Sequence, residues 1–432
     1  MPYDIIIGRD EDDKKRFGDK GLIYIGKGFV TMGNYTSLSN PIYLDVARSH
    51  VILVAGKRGS GKSYTLGVMA EELANLPQEV SKNLAPLIFD TMGIFWTMKY
   101  KNDKEKNLLE EWKLKPKNLP IKIFVPEGYI KEYEKKGIKA DKSFALKASE
   151  LNPEDWVLTF NLNILNPEAV VIQTAINKLK GKYNIQEIIQ KIREDPVSKQ
   201  DTKNTVISLF EAAQTWGIFS DSEKGTEISE LVNAGNTTVL DLSMYSSISA
   251  FNIRALIIGL ISKKLFIQRM KERRKEESEA VERGIDYLSI EKREFPLVWL
   301  FIDEAHEFLP QDKDTAATSA LMQVLREGRQ PGISLVLATQ QPGQIHKDVM
   351  TQSDIVISHR VTARPDVLAL NNIMQSYLLK DIKEYLDNLP SLKGAAIILD
   401  DNSERIYPMR VRPRFTWHGG EAPTSIKVER RI

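Results

Sequence analysis

Residues 51–76, VILVAGKRGSGKSYTLGVMAEELANL, decide the fold. VILVA is an apolar, β-branched run of the length of a buried strand. Gly56 to Ser63 then satisfies GxxxxGK[ST], and apolar positions recur at helical spacing from Lys62 until Pro77 stops them. Strand, glycine-rich turn and helix in this order make a phosphate cradle: the glycines let backbone N–H groups converge on an anion, and the helix N-terminus adds partial positive charge. Nucleotide binding is therefore expected at Gly56, Lys57, Arg58, Gly59, Ser60, Gly61, Lys62, Ser63 and Tyr64. Lys62 is expected at the β and γ phosphates of ATP, and the Ser63 hydroxyl at Mg2+. Lys57 and Arg58 occupy variable positions, where they either touch phosphate or face water.

Outward from this unit the same rhythm continues. PLIFD (86–90), IKIFV (121–125), TTVLDL, LVWLFIDE, ISLVLATQ, DIVISH and GAAIILD read as further strands, most of them separated by helical patterns. That alternation predicts an α/β fold with a parallel sheet wrapped by helices. Residues 1–47 differ, with short β-prone runs broken by glycines, and predict a small β-barrel or sheet cap. Between 155 and 222 helix signals dominate, including Asn166-Pro167-Glu168 as a helix start, and predict an α-helical insertion. A long helix is expected from near Ala250, running into the mixed-charge stretch 268–294, which reads as a solvated helix and linker.

Leu297 to Ile302 is a buried-strand run that ends in Asp303-Glu304. Ligands of open α/β sheets bind at the carboxyl ends of strands, so Asp303 is expected to hold Mg2+ through water and Glu304 to act as general base. The alternative for such a pair is a helix cap. His306 reads as a structural neighbour. Thr339 and Gln340 end another strand, where a γ-phosphate sensor would sit. Asp90 ends PLIFD and is either a carboxylate near the metal or a turn residue leading to Gly93. Arg326 and Arg329 lie three apart near a helix end, before Pro331-Gly332; such arginines either pair locally or reach into the nucleotide site of a neighbouring subunit.

Composition narrows the class. The chain has 432 residues, with 60 Lys+Arg against 58 Asp+Glu, a net charge of +2 that announces neither nucleic acid nor membrane. No apolar stretch approaches the ~20 residues that span a bilayer, so no membrane partner is expected and the location is expected to be cytoplasmic. With 0 cysteines, disulfides and thiolate metal sites are excluded. Residues 101–142 carry twelve lysines against eight acids, a local net of +4 that a solvated surface explains as well as DNA does.

Taken together, GKRGSGKSYTLGVMAEEL, FDTMGIF, ELNPEDW, VLDLS, LFIDEAHEFLP, LREGRQPGISLVLATQQPGQI and RPRFTWHGG resemble, in order, segments of the HerA–FtsK superfamily of ring ATPases, specifically its HerA-like branch. The resemblance implies a RecA-like P-loop NTPase core in two parts, 48–154 and 223–412, with residues 1–47 as a HAS-barrel-like domain. It implies that 155–222 are the helical insertion and 413–432 a tail bracing a neighbour. It further implies a homohexamer that threads double-stranded DNA using ATP, with a NurA-like or other effector nuclease as partner. Arg329 then matches the family's trans-acting arginine, and Gln340 its sensor. Arg48 and His50 are the candidates for a second arginine position before the P-loop strand. Ile94 stands where the family commonly has an acid. An alternative reading is a nucleotide-gated ring scaffold that holds and activates an effector nuclease, with slow hydrolysis as a timer.

Overall fold

The computed structural model describes residues 3–32, 35–220, 225–247, 252–284, 292–374 and 382–420. Its frame is a 13-stranded sheet. In chain order the strands are β1 (Ile5–Ile7), β2 (Leu22–Met32), β3 (Tyr35–Asp45), β4 (Val51–Ala55), β5 (Leu84–Asp90), β6 (Lys122–Pro126) and β7 (Lys142–Phe144). They continue as β8 (Thr238–Asp241), β9 (Leu297–Ile302), β10 (Ile333–Thr339), β11 (Ile355–His359), β12 (Ala395–Asp400) and β13 (Arg405–Val411). The spatial order is β1-β3-β2-β13-β12-β11-β4-β10-β9-β5-β8-β6-β7.

The block β11-β4-β10-β9-β5-β8-β6-β7 is parallel throughout. β4 therefore sits between β11 and β10, well inside the sheet, and this explains why VILVA contains no polar residue: both of its faces are covered. Alternation still sorts its side chains, with Leu53 and Ala55 in one core and Ile52 and Val54 in the other. Against Ile52 and Val54 packs α1 (Lys62–Ala74) through Leu66, Met69, Ala70 and Leu73.

The opposite core is larger. It takes in α2 (Pro153–Thr159), α3 (Pro167–Asn177), α4 (Ile185–Arg193) and α5 (Gln200–Gln214), the helices of the region read as helical. α4 begins with a capping box, Asn184 with Glu187, and buries Ile185, Ile188, Ile189 and Ile192 on one face. Also in this core is α6 (Ile253–Arg283), 31 residues long, with Asn252 as its cap and Gly284 in the left-handed conformation at its end. Part of the linker read after this helix, 285–291, lies outside the described residues.

The N-terminal strands form no separate sheet among the described residues. β2 and β3 make a long antiparallel pair with register shifts near Gly26, β1 joins β3 in parallel, and β2 pairs with β13 through Gly26, Lys27 and Gly28. The join requires close backbone approach, since a Cβ on Gly26 would collide with the carbonyl oxygen of Arg410. β13 was not among the strands expected from the sequence. Although β12 and β2 flank it, only Met409 and Val411 of its residues are buried, so no apolar run marks it in the sequence.

Candidate functional site

The carboxyl ends of β4, β10 and β9 lie side by side, because Thr339 is level with Ala55 and Leu337 with Ile302. The loop from Gly56 to Gly61 leaves β4 at this edge and enters α1. Gly59 and Gly61 have φ of 75° and 117°, values that favour glycine. At Gly56 the constraint is space: a Cβ would collide with Ser60 Oγ and stand 2.8 Å from His359 Cβ. Gly61 caps α1 without a side chain, so the first-turn N–H groups keep their capacity for an anion.

Lys62 is 5% exposed, and its ammonium has one hydrogen bond, to the Lys57 carbonyl at 3.3 Å. Burial lowers its pKa, opposed by Glu304 and Asp303. Ser63 Oγ donates to Asp303 Oδ2 at 2.6 Å, across 240 positions of sequence. Asp303 is fully buried; burial raises its pKa, while the Ser63 bond lowers it.

Glu304 adopts φ 51°, a left-handed conformation costly for a residue with a side chain. Gln340 Nε2 donates to Glu304 Oε1, fixing one carboxylate oxygen. The other, Oε2, is buried without a hydrogen-bond partner, and His306 Nδ1 stands 3.7 Å from it. His306 is itself held by Thr339 Oγ1 at 3.2 Å. Ser60 Oγ is likewise buried and unpartnered.

These residues fit a nucleotide with a divalent cation. The loop offers uncapped N–H groups and a desolvated ammonium to phosphate. A hydroxyl and a carboxylate 2.6 Å apart suit one hard cation, with phosphate and water completing its shell. The buried, unpartnered oxygens of Ser60 and Glu304 leave hydrogen-bonding capacity that a polar ligand would satisfy.

Other expected residues lie elsewhere. Lys57 and Arg58 are exposed. The Tyr64 hydroxyl turns away from the loop, donating to Glu105 and accepting from the Arg414 N–H at 2.7 Å. Asp90 is a turn residue, accepting from the backbone N–H groups of Met92, Gly93, Ile94 and Phe95. Burial and the neighbouring Asp241 raise its pKa, against the bonds from Phe95, Ile94 and Gly93. Arg48 is taken by Asp13, with two 2.7 Å bonds, and His50 by Asp354 and Asp45, so each is held within its own chain.

Arg326 and Arg329 part company. Arg326 pairs with Asp348. Arg329 is exposed just past α7 (Thr318–Glu327), in the turn leading to the amino end of β10. The seven residues of β10 put roughly 20 Å between that turn and Thr339. Arg329 is therefore remote from its own phosphate loop.

Two features escaped the sequence reading. His359 ends β11 beneath the loop, bonding Thr65 Oγ1 at 2.8 Å and the Ala395 carbonyl at 3.0 Å. Burial pushes its pKa down to about 4, so it is neutral, with Nδ1–H donating to Ala395 and Nε2 accepting from Thr65. The second is Glu71 of α1, fully buried and clasped by residues 412–416. Its signal was legible as a carboxylate on the apolar face of VMAEELA; its partners, more than 340 positions away, were not.

Sheet order, phosphate loop and strand-end carboxylates define a P-loop NTPase fold. The chain belongs to the family of the helicase HerA central domain, whose model matches residues 30–265. A model of zonular occludens toxin (Zot) matches residues 252–364. The DNA double-strand break repair helicase HerA of Saccharolobus solfataricus is 23% identical over 384 residues, 87% of this chain and 67% of that protein. The same-named protein of Sulfolobus acidocaldarius is 24% identical over 359 residues, 83% of this chain and 63% of its own length. The probable counterpart in Methanocaldococcus jannaschii is 31% identical over 105 residues, 24% of this chain and 21% of that protein. The chain thus spans about two thirds or less of the length of these relatives.

Two solved structures share the fold. VirB4 of Thermoanaerobacter pseudethanolicus superposes with TM-score 0.53 at 11% identity, over 91% of this chain and 96% of that one. The bacterial conjugative coupling protein TrwBΔN70 gives 0.51 at 11% identity, over 86% and 87%. Among the described residues no helix is long and apolar enough to cross a membrane.

Proposed function

We propose that this protein is a homohexameric, Mg2+-dependent ATPase that moves double-stranded DNA, acting with a partner nuclease of the NurA-like kind in DNA end processing or defence. The observation that carries the reading is the joining of two pairs at one sheet edge: Ser63 with Asp303, and Glu304 with Gln340. Family membership and the names of the relatives supply the DNA substrate and the repair setting.

In this reading the loop amides and Lys62 hold the ATP phosphates, and phosphate restores the charge that burial makes costly for Lys62. Bound Mg2+ supplies Lewis-acid polarisation of the phosphates, with Ser63 and, through water, Asp303 as its protein contacts. Glu304 Oε2 accepts a proton from the attacking water while Gln340 holds Oε1, so the base is aimed before the substrate arrives. Arg329, too far from its own loop, neutralises transition-state charge in the next subunit. Residues 1–47 take the place of the HAS-barrel as the docking cap for the nuclease, 155–222 are the helical insertion, and 413–432 brace a neighbour. Residues 412–416 are held on α1 of their own chain, so the bracing falls to the residues after them; residues 421–432 lie outside the described residues.

Steady-state ATP hydrolysis with and without long duplex DNA tests the reading. Strong stimulation by DNA is expected. Indifference to DNA with stimulation by the nuclease would favour the gated scaffold instead.

A further inference from the structure

α6 carries a buried cation that the ATPase site does not use. Arg269 is fully buried at the middle of this helix. Its Nε donates to the Pro331 carbonyl at 2.7 Å, and its Nη1 to the Phe295 carbonyl at 2.8 Å and Glu276 Oε1 at 3.2 Å. Glu276 Oε2 in turn accepts from Arg293 Nη1. Two arginines therefore share one buried carboxylate, and the inner one reaches past it to the turn after α7.

That turn is fixed from several sides. Ile333 N–H bonds the Gly328 carbonyl at 2.8 Å and Gly332 N–H the same carbonyl at 3.1 Å. Val298 N–H bonds the Gly332 carbonyl at 3.1 Å, tying the turn to β9. Gly332 has φ 83°, and a Cβ there would collide with Leu297 Cδ2. Arg329 stands in this turn, exposed, and no hydrogen bond or ion pair holds its side chain among the described residues. The backbone beneath Arg329 is rigid while its side chain is free, the arrangement that suits a group aimed at something outside its own chain. Burying a guanidinium is costly unless it is paired; here Nε and Nη1 are paired while Nη2 is buried without a partner among the described residues, and the pairing reaches a surface turn whose one distinctive side chain is Arg329.

We infer that Arg269 is a positioning residue for Arg329: through the Pro331 carbonyl, backed by Glu276 and Arg293, it sets the backbone from which Arg329 reaches a second copy of this chain. The inference rests on the trans-acting reading of Arg329 and names what makes that reach reproducible.

The test uses the full-length chain, with subunit mass checked by gel filtration. Arg269→Lys keeps the charge facing Glu276 but cannot span both carbonyls. It is expected to lower kcat for ATP about tenfold while KM stays within about twofold. Combined with Arg329→Ala, it is expected to lower the residual rate, read with radiolabelled ATP, no further. Gly332→Ala, which displaces the same turn by strain at φ 83° and leaves Arg269 in place, its added Cβ standing 3.7 Å from Arg269 Nη2, is expected to behave alike and covers the case in which Arg269→Lys does not fold. A normal kcat in both turn variants, a rise in KM in place of the fall in kcat, or an equal further loss in the Arg329→Ala background overturns the inference. A normal rate in Arg329→Ala alone overturns the trans-acting reading, and this inference with it; a dead Arg329→Ala beside fully active turn variants overturns only the positioning role.

Discussion

Glu71 accepts a hydrogen bond from Arg414 Nε at 2.9 Å with both side chains completely buried, joining the helix of the phosphate loop to a segment near the end of the chain. Arg412 Nη1, the N–H groups of Phe415 and Thr416, and the Thr416 hydroxyl complete the clasp. Gly67 makes room, since a Cβ there would run into the Arg414 guanidinium. Burial favours a neutral Glu71, but Arg414 and Arg412 outweigh it and its pKa is lowered.

Glu71→Ala leaves Arg414 buried without its carboxylate and Arg412 with only Glu72, and is expected to cost about 3–5 kcal/mol of stability. Urea unfolding at neutral pH reads this directly. A loss under about 1 kcal/mol would show that the clasp is solvated rather than buried.

Glu304→Gln preserves the size of the side chain and removes the acceptor for the water proton. ATP binding is expected to persist while turnover falls by about 10²–10⁴. Lys62→Ala is expected to weaken nucleotide binding itself, and chelating Mg2+ to stop turnover in the unaltered protein. Equilibrium binding of a fluorescent ATP analogue beside phosphate release separates these cases.

Arg329→Ala is expected to bind ATP and lose about 10³-fold or more in hydrolysis. Mixed with Lys62→Ala, it is expected to regain part of the rate, because a mixed ring contains seams with an intact loop on one side and an intact arginine on the other. Mixtures no more active than their components would assign Arg329 to its own chain's surface.

His50 gives a pH dependence with a definite sign. Burial disfavours its cation, but Asp354 at 2.7 Å and Asp45 at 3.2 Å outweigh this and raise its pKa to about 9. A raised folded-state pKa contributes stability that is fully present below about 6.5 and lost as pH rises through about 9, worth about 3 kcal/mol in all. His50→Gln is therefore expected to destabilise strongly at pH 6 and little at pH 10. Thermal melts of both proteins across that range check it; a constant gap between them would mean that His50 is neutral in the fold.

Much of this molecule was legible before folding. VILVAGKRGSGKS announced strand, loop and helix because strand burial, glycine turns and helix entry each leave a local mark, and LVWLFIDE announced a strand-end acid pair for the same reason. α6 and the helices of 155–222 were legible through their periodicity. β13 was not, because a strand with half-exposed residues and a proline at its centre has no strong pattern. The two readings of Asp90 were separable only by its four backbone bonds.

The sequence by itself determined the chemistry available: which residues can bind phosphate, hold a metal, take a proton or carry a fixed positive charge. These are properties of side-chain type and of spacing within one or two turns. Tertiary structure alone decided who meets whom. Ser63 and Asp303 are 240 positions apart, and Arg329 is remote from its own loop although its strand ends beside it. Such distances follow from strand order and direction, set by burial across the whole sheet, and no local stretch of the chain encodes them.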